Sequence, residues 1–324
     1  MRHIKRWSEL FESESNLTKR QTEFLDRYTN GKWSVNPSTG LVDVDGDFDC
    51  SGRRLFTLMG IKFGSVTGDF DCHNNKLTSL GGAPKEVGEN FYCNNNNLTS
   101  LEGTPKRVGG GFYCHNNKLT SLEGAPESVG VGFYCHNNNL TSLVGTPKKV
   151  GGNFYCDGNE LTSLEGAPKE VGESLNCSDN KLTSLEGAPL EVDGGFYCSS
   201  NKLTSLRGAP KRVGGDFKCS HNKLTSLVGA PKEVGGDFYL KSHYEHFKWT
   251  PKGKIGFIGE HPEFKELILP TILHEDLLKV ISEDPSLLGT IEGVDKSLYD
   301  KVLKGLGWDK MGSDLLRQLK QGLI

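Results

Sequence analysis

Residues 112–132 read FYCHNNKLTSLEGAPESVGVG, and residues 133–153 repeat them almost letter for letter as FYCHNNNLTSLVGTPKKVGGN. Outward from this pair, the same 21-residue unit begins at Phe70, Phe91, Phe112, Phe133, Phe154, Leu175, Phe196 and Phe217. A variant first copy of 22 residues starts at Phe48, and a partial last copy, FYLKS, starts at Phe238. These copies make nine full turns and a tenth strand. A fixed period of this length marks a solenoid, in which each unit packs only on its neighbours.

Each unit opens with an alternating run: Phe112 inward, Tyr113 outward, Cys114 inward. Alternation with aromatic residues specifies a strand. The strand returns at a fixed interval, so successive strands are expected to lie parallel and in register. The connection is too short for a crossover helix with its loops, and Gly124 and Pro126 in SLEGAPESVG favour an extended, turn-rich return. Leu119, Leu122 and Val129 recur in all eight regular copies and are expected inside with Phe112 and Cys114. Asn117 and its equivalents Asn75, Asn96, Asn138, Asn159, Asn180, Asn201 and Asn222 are expected to bond the backbone of neighbouring turns as a ladder.

The composition fits a thin core. Of 324 residues, 35% are hydrophobic and 41 are Gly, about twice the usual share. The formal charge of −3 lacks the basic excess of a nucleic-acid binder. No apolar run is long enough to span a membrane, and no apolar stretch follows the basic residues of MRHIKRWSELFESES, so no secretory signal is read there. Nine cysteines, Cys50 to Cys219, fall once per repeat. That even spacing is neither a zinc pattern nor a disulfide framework. It implies a row of buried, reduced thiols and a cytoplasmic location.

The spacing F-x-C-x-x-N-x-L, as in Phe112, Cys114, Asn117 and Leu119, resembles the leucine-rich-repeat signature L-x-L-x-x-N-x-L. The short period with Pro in the return is similar to the repeats of bacterial effector proteins. The SLEGAPKEVGG-FYC wording looks most like leucine-rich-repeat proteins of large tailed bacteriophages. The resemblance covers roughly residues 44 to 242, with Phe and Cys where Leu is usual. It implies an α/β solenoid: a horseshoe with a parallel sheet, short non-helical returns and helical caps at both ends. It also implies a monomeric, non-enzymatic scaffold that binds a protein on its concave sheet, in a host cell if the source is a phage. An adhesin on a virion or host surface, and an effector with an activity in its C-terminal helices, are the alternatives.

The ends differ from the repeats. Residues 1–16 read as a tail, in which Leu10-Phe11-Glu12 resembles a phage capsid-targeting peptide. Residues 17–43 read as an N-terminal cap: a helix over 17–29, with Thr18 and Gln21 at capping-box spacing and Gly31 as a stop, then Trp33 and Val35 in an entering strand. Leu17, Phe24, Leu25 and Tyr28 are its covering residues. Residues 243–324 read as a mainly helical cap or small domain, with irregular chain and one strand in KWTPKGKIGFIG before helices from Pro262 on.

In register, the outward positions form columns across the sheet. One holds Tyr92, Tyr113, Tyr134, Tyr155, Tyr197 and Tyr239, interrupted by Asn176 and Lys218. Such a column suits partner binding, since Tyr offers area at low entropy with a polar tip, and it also stabilises a sheet by cross-strand pairing. The next column holds His73, His115, His136 and Asp157; only His115 and His136 adjoin, which suits no metal, and these two are read with the Tyr column as partner-binding residues. At the N-terminal end, Asp47, Asp49, Asp69 and Asp71 are expected to face outward in a two-by-two grid. Like charges so placed repel, which points to a solvated edge, a patch for Lys or Arg of a partner, or a divalent ion. The run DVDGDFD from Asp43 to Asp49 superficially resembles a calcium loop, but its apolar residues keep the repeat register and the distal Glu is missing. No cofactor motif and no catalytic residue is identified. There is no Cys after Cys219, so the tail cannot supply a thiol nucleophile.

Overall fold

The computed structural model describes residues 17–224 and 229–239, and the backbone of Phe247–Thr250 and Lys254–Phe257. The expected tail, the helices from Pro262 on and the C-terminal cap lie outside the described residues.

The chain forms a parallel β-solenoid of leucine-rich-repeat type. The turns are numbered one to nine from Phe48, so the seventh starts at Leu175. The inward side chain of each short strand stacks on its neighbours: the Phe70 and Phe91 rings are 5.3 Å apart and those of Phe91 and Phe112 5.6 Å apart. Phe, Cys, both Leu and Val of every regular turn through the sixth are buried. Aromatic alternation therefore builds the strand, and the stack of identical strands builds the core. The main sheet pairs Phe91–Tyr92 with Phe112–Tyr113 and onward in parallel, equivalent residue opposite equivalent residue. Phe91 N donates to Gly111 O at 2.9 Å, and Cys93 N to Tyr113 O at 2.9 Å.

The Asn ladder forms as expected. Asn138 Nδ2 donates to Cys114 O in the preceding turn at 3.2 Å and to Cys135 O in its own turn at 3.0 Å, while its Oδ1 accepts from Leu119 N at 3.0 Å. One amide thus satisfies three backbone groups that the corner of the solenoid would otherwise bury unpaired.

The return strand is more ordered than the sequence suggested. Residues such as Arg107–Val108 and Ser128–Val129 form a second parallel ribbon. There Gly109 N donates back to Val87 O at 2.9 Å. In the regular turns two to six the residue after Val is Gly, and the close approach depends on it. A Cβ at Gly109, Gly130, Gly151 or Gly172 would collide with the carbonyl oxygen of the preceding turn. Asp193 stands at that place in the seventh turn. Its ribbon strand, Glu191–Val192, does not pair with Glu170–Val171 and pairs only onward, with Arg212–Val213. The same turn carries Leu175 in place of Phe, so the inner ring stack runs Phe133–Phe154 and resumes at Phe196–Phe217. A groove of about 550 Å³ opens at the break, lined by Lys149, Lys169, Leu190 and Arg212 among others, with Leu190 67% exposed.

The N-terminal end is closed by α1, Lys19–Tyr28, and two antiparallel strands, β1, Thr29–Val35, and β2, Val42–Asp49. The Thr18–Gln21 capping box is present in full. Leu25 is buried and Phe24 lies 5.8 Å from Phe48, so the helix covers the first turn's ring. Two details depart from the sequence reading. Gly31 does not stop the helix. The chain passes directly into β1 at Thr29, and Gly31 faces Gly46 across the strands, where a side chain on either would collide with the other backbone. The boundary read at 43/44 falls inside β2, which pairs forward through both Val42 and Phe48. At the other end, Phe247–Thr250 and Lys254–Phe257 form an antiparallel pair, where one strand was read.

Candidate functional site

The outward face of the main sheet carries the aromatic column. Tyr92, Tyr113 and Tyr134 stack face to face at 4.6 Å, and Tyr155 meets Tyr134 edge-on at 5.4 Å. All four are half-buried. Two glycines lie directly under the rings of their own turns. A Cβ at Gly111 would sit 2.7 Å from the Tyr113 ring, and one at Gly132 would sit 2.5 Å from Tyr134. Asn stands at that place before both Tyr92, whose ring lies flat, and Tyr155, whose ring stands on edge, so the residue there does not set the ring's tilt. Burial pushes the Tyr92 phenol up to about 12, and Tyr113 and Tyr155 move in the same direction for the same first cause. These three phenols are neutral at physiological pH.

Tyr197 and Tyr239 lie farther along, beyond Asn176. Lys218 stands between them, its Nζ 5.0 Å from each ring centre and 3.3 Å from Asp216 Oδ2. Tyr239 also donates to Asp237 Oδ2 at 2.9 Å.

In the adjoining column, the His115 and His136 rings stack at 4.3 Å. Their Nδ1 atoms and Asp157 Oδ1 are enclosed without a hydrogen-bond partner. Burial, and then the neighbouring His136 and His73, push His115 down to about 4. Burial likewise lowers His136, against the pull of Asp157, and raises Asp157. His73 is apart from this pair, its Nδ1 2.6 Å from Asp71 Oδ1.

The four aspartates at the N-terminal end do not form an open grid. Asp47 Oδ1 accepts from Asp69 N at 2.9 Å and Asp69 Oδ1 from Asn90 N at 2.8 Å, so these two carboxylates bind the next strand's backbone. The pattern continues with Asn90 to Gly111, Asn153 to Ser174, Ser174 to Gly195 and Asp216 to Asp237. It is a second side-chain ladder, one residue before the inward Phe, which the sequence reading missed. The signal was present: Asp, Asn or Ser recurs there wherever Gly does not. Asp49 and Asp71 oppose one another in the sheet, and each accepts from the backbone two residues on, at Ser51 and His73, 2.8 and 2.9 Å away. Burial works to raise Asp49, but the bonds from Ser51 hold it below the usual carboxylate range. Asp71 is raised, chiefly by burial. Asp43 lies in β2, its Oδ1 taken by Ser65 N at 2.8 Å, so DVDGDFD is a strand and not a loop. Among the described residues there is no group of three or more His, Cys, Asp and Glu placed to hold a metal ion.

All nine cysteines are buried and unpaired. Burial pushes Cys50 up to about 12 and the others above their usual value, so they are held as thiols. Among the described residues no helix is long and apolar enough to cross a membrane.

No protein-family model and no curated protein matches the chain. Among solved structures it is similar to YopM from Yersinia enterocolitica WA-314, at 19% identity and a TM-score of 0.44. The likeness covers 68% of this chain and 50% of that one, so the chain spans about half of that protein's length.

Proposed function

We propose that the chain is a monomeric, non-enzymatic scaffold that binds a protein on the outward face of its main sheet. The observation that carries this reading is the run of four half-buried Tyr rings, from Tyr92 to Tyr155, on successive turns of one face. Such a run presents rigid, amphipathic area with little entropy left to lose on binding. Structural pairing alone would be served equally by residues without a hydroxyl. His115 and His136 border the run and are neutral at pH 7. The thiols support a scaffold rather than a nucleophilic enzyme, since a protonated, enclosed sulfur does not attack. They also suit a reducing cytoplasm. The likeness of the repeat wording to phage proteins makes a host protein the partner we favour.

The test is affinity capture from host extract with the wild type and with a Tyr113→Ala, Tyr134→Ala, Tyr155→Ala variant, each checked for an unchanged circular dichroism spectrum. Loss of a specific partner, corresponding to about 3 kcal/mol or more for three anchors, is expected. Undiminished capture by the variant would reduce the column to a structural feature.

A further inference from the structure

Lys218 reveals how this face treats a cation. Its ammonium sits between Tyr197 and Tyr239, 5.0 Å from each ring centre, with the Asp216 carboxylate 3.3 Å away. The two rings come from the strands on either side, each about 4.8 Å away. That spacing holds a positive charge within reach of both ring faces.

The same two-ring arrangement recurs around Asn176. Tyr155 is opposite Asn176 on one side and Tyr197 on the other. Asn176 is too short to reach between the rings, and its Oδ1 turns to its own loop, accepting from Ser178 N at 3.1 Å. The register thus sets Tyr155 and Tyr197 on the strands either side of Asn176, as Tyr197 and Tyr239 flank Lys218. Asp157, on the diagonal of the same sheet face, has an enclosed Oδ1 without a hydrogen-bond partner. Its titratable neighbours are His136 and Asp179. Glu173 adds a further negative charge beside Tyr155. The rim lysine of this turn, Lys181, is already paired with Glu160. The slot therefore places two Tyr on its flanking strands and a carboxylate on its diagonal.

We propose that the slot formed by Tyr155, Asn176 and Tyr197 receives a Lys or Arg side chain from a basic segment of the protein partner. This rests on the sheet face being the partner-binding surface, and it adds the chemistry that surface selects.

The probes are capped nine-residue Gly/Ser peptides carrying one central Arg, Lys or Leu, titrated against the full chain while backbone amide signals are followed by NMR. The Arg and Lys peptides are expected to shift Asn176 and Ser178 in a saturable way, and the Leu peptide is not. Asn176→Lys should place the chain's own ammonium between the rings, as Lys218 does, and weaken binding by about tenfold while leaving the melting temperature unchanged. Asp157→Asn and Tyr197→Ala should weaken it as well. Equal shifts with the Leu peptide, or undiminished binding by Asn176→Lys, would overturn the slot. Shifts confined to Tyr92, Tyr113 and Tyr134 would also overturn it, yet leave the sheet face as the binding surface. That broader reading fails only if the triple-Tyr variant still captures the partner.

Discussion

Protonating His115 would place a charge 4.3 Å from the stacked ring of His136, next to an Nδ1 that has no hydrogen-bond partner. The fold resists this, and the resistance has a sign. The unfolded chain takes up the proton near 6.5 and the folded chain only near 4. Between those values the unfolded state binds more protons, so stability is full above 6.5 and falls as pH falls toward 4. His73 and His136 act on His115 in the same direction, and Tyr113, 6.4 Å away, is neutral throughout this range. Asp157 lies beyond His136, and its own upward shift works the opposite way at the acid end. The melting temperature is expected to drop by several degrees between pH 7 and 4.5, each kcal/mol moving it by roughly 2–4 °C in a chain of this size. His115→Asn, the residue that Asn94 already supplies one turn earlier, should flatten that dependence. A calorimetric pH series with equal slopes for both proteins would remove His115 from the account.

At the level of the element, one residue decides whether the ribbon of returns continues. The glycine after Val leaves room for the carbonyl of the preceding turn, and Asp193 does not. Asp193→Gly should let Glu191–Val192 pair with Glu170–Val171. Each new backbone bond contributes about 1 kcal/mol, while Gly costs about 0.5–1 kcal/mol in chain entropy. The exposed ion pair of Asp193 with Arg212, 2.8 Å apart, is worth little. The net change in melting temperature is therefore small, and slowed hydrogen exchange at residue 193 is the sensitive readout. The reverse change, Gly151→Asp, should open a regular turn at a cost of about 1–3 kcal/mol. Unprotected amides at 193 after Asp193→Gly would show that something else holds the ribbon apart. This break was legible only in part. The repeat, the parallel register, the inward residues and the Asn ladder all follow from letters that recur. The loss of Gly at 193 is a single departure, and it carries meaning only once the second ribbon is known. At the acidic end one feature was missed for a related reason. Alternation puts Asp47 and Asp69 outward, but it does not say that an outward carboxylate bonds the backbone of the next strand. The Tyr column was legible as a column, while the flat stacking of Tyr92, Tyr113 and Tyr134 was not.

Across the whole molecule, each turn touches only its neighbours, so the weakest interface sets where the solenoid first gives way. Between the sixth and seventh turns three continuous features lapse together: Leu175 interrupts the inner Phe stack, Asn176 the outer Tyr column, and Asp193 the ribbon of returns. The main sheet still pairs across this junction, and both side-chain ladders carry on, with Asn180 Nδ2 donating to Cys156 O and Ser174 N to Asn153 Oδ1, each at 3.0 Å. The evenly spaced thiols turn this into a measurement. Cys50, Cys72, Cys93, Cys114, Cys135 and Cys156 lie before the weak interface, and Cys177, Cys198 and Cys219 lie after it. Natively all nine are buried and protonated, so alkylation should be negligible at pH 7. At low denaturant the last three should become reactive together, before the first six, because the shorter stack has fewer interfaces to hold it. Mass spectrometry after brief labelling would then show species with three added groups ahead of species with nine. Asp193→Gly should merge the two steps by restoring the ribbon across the junction. If all nine thiols of the wild type react in one step, the solenoid unfolds as a unit and the seventh turn is irregular without being weak.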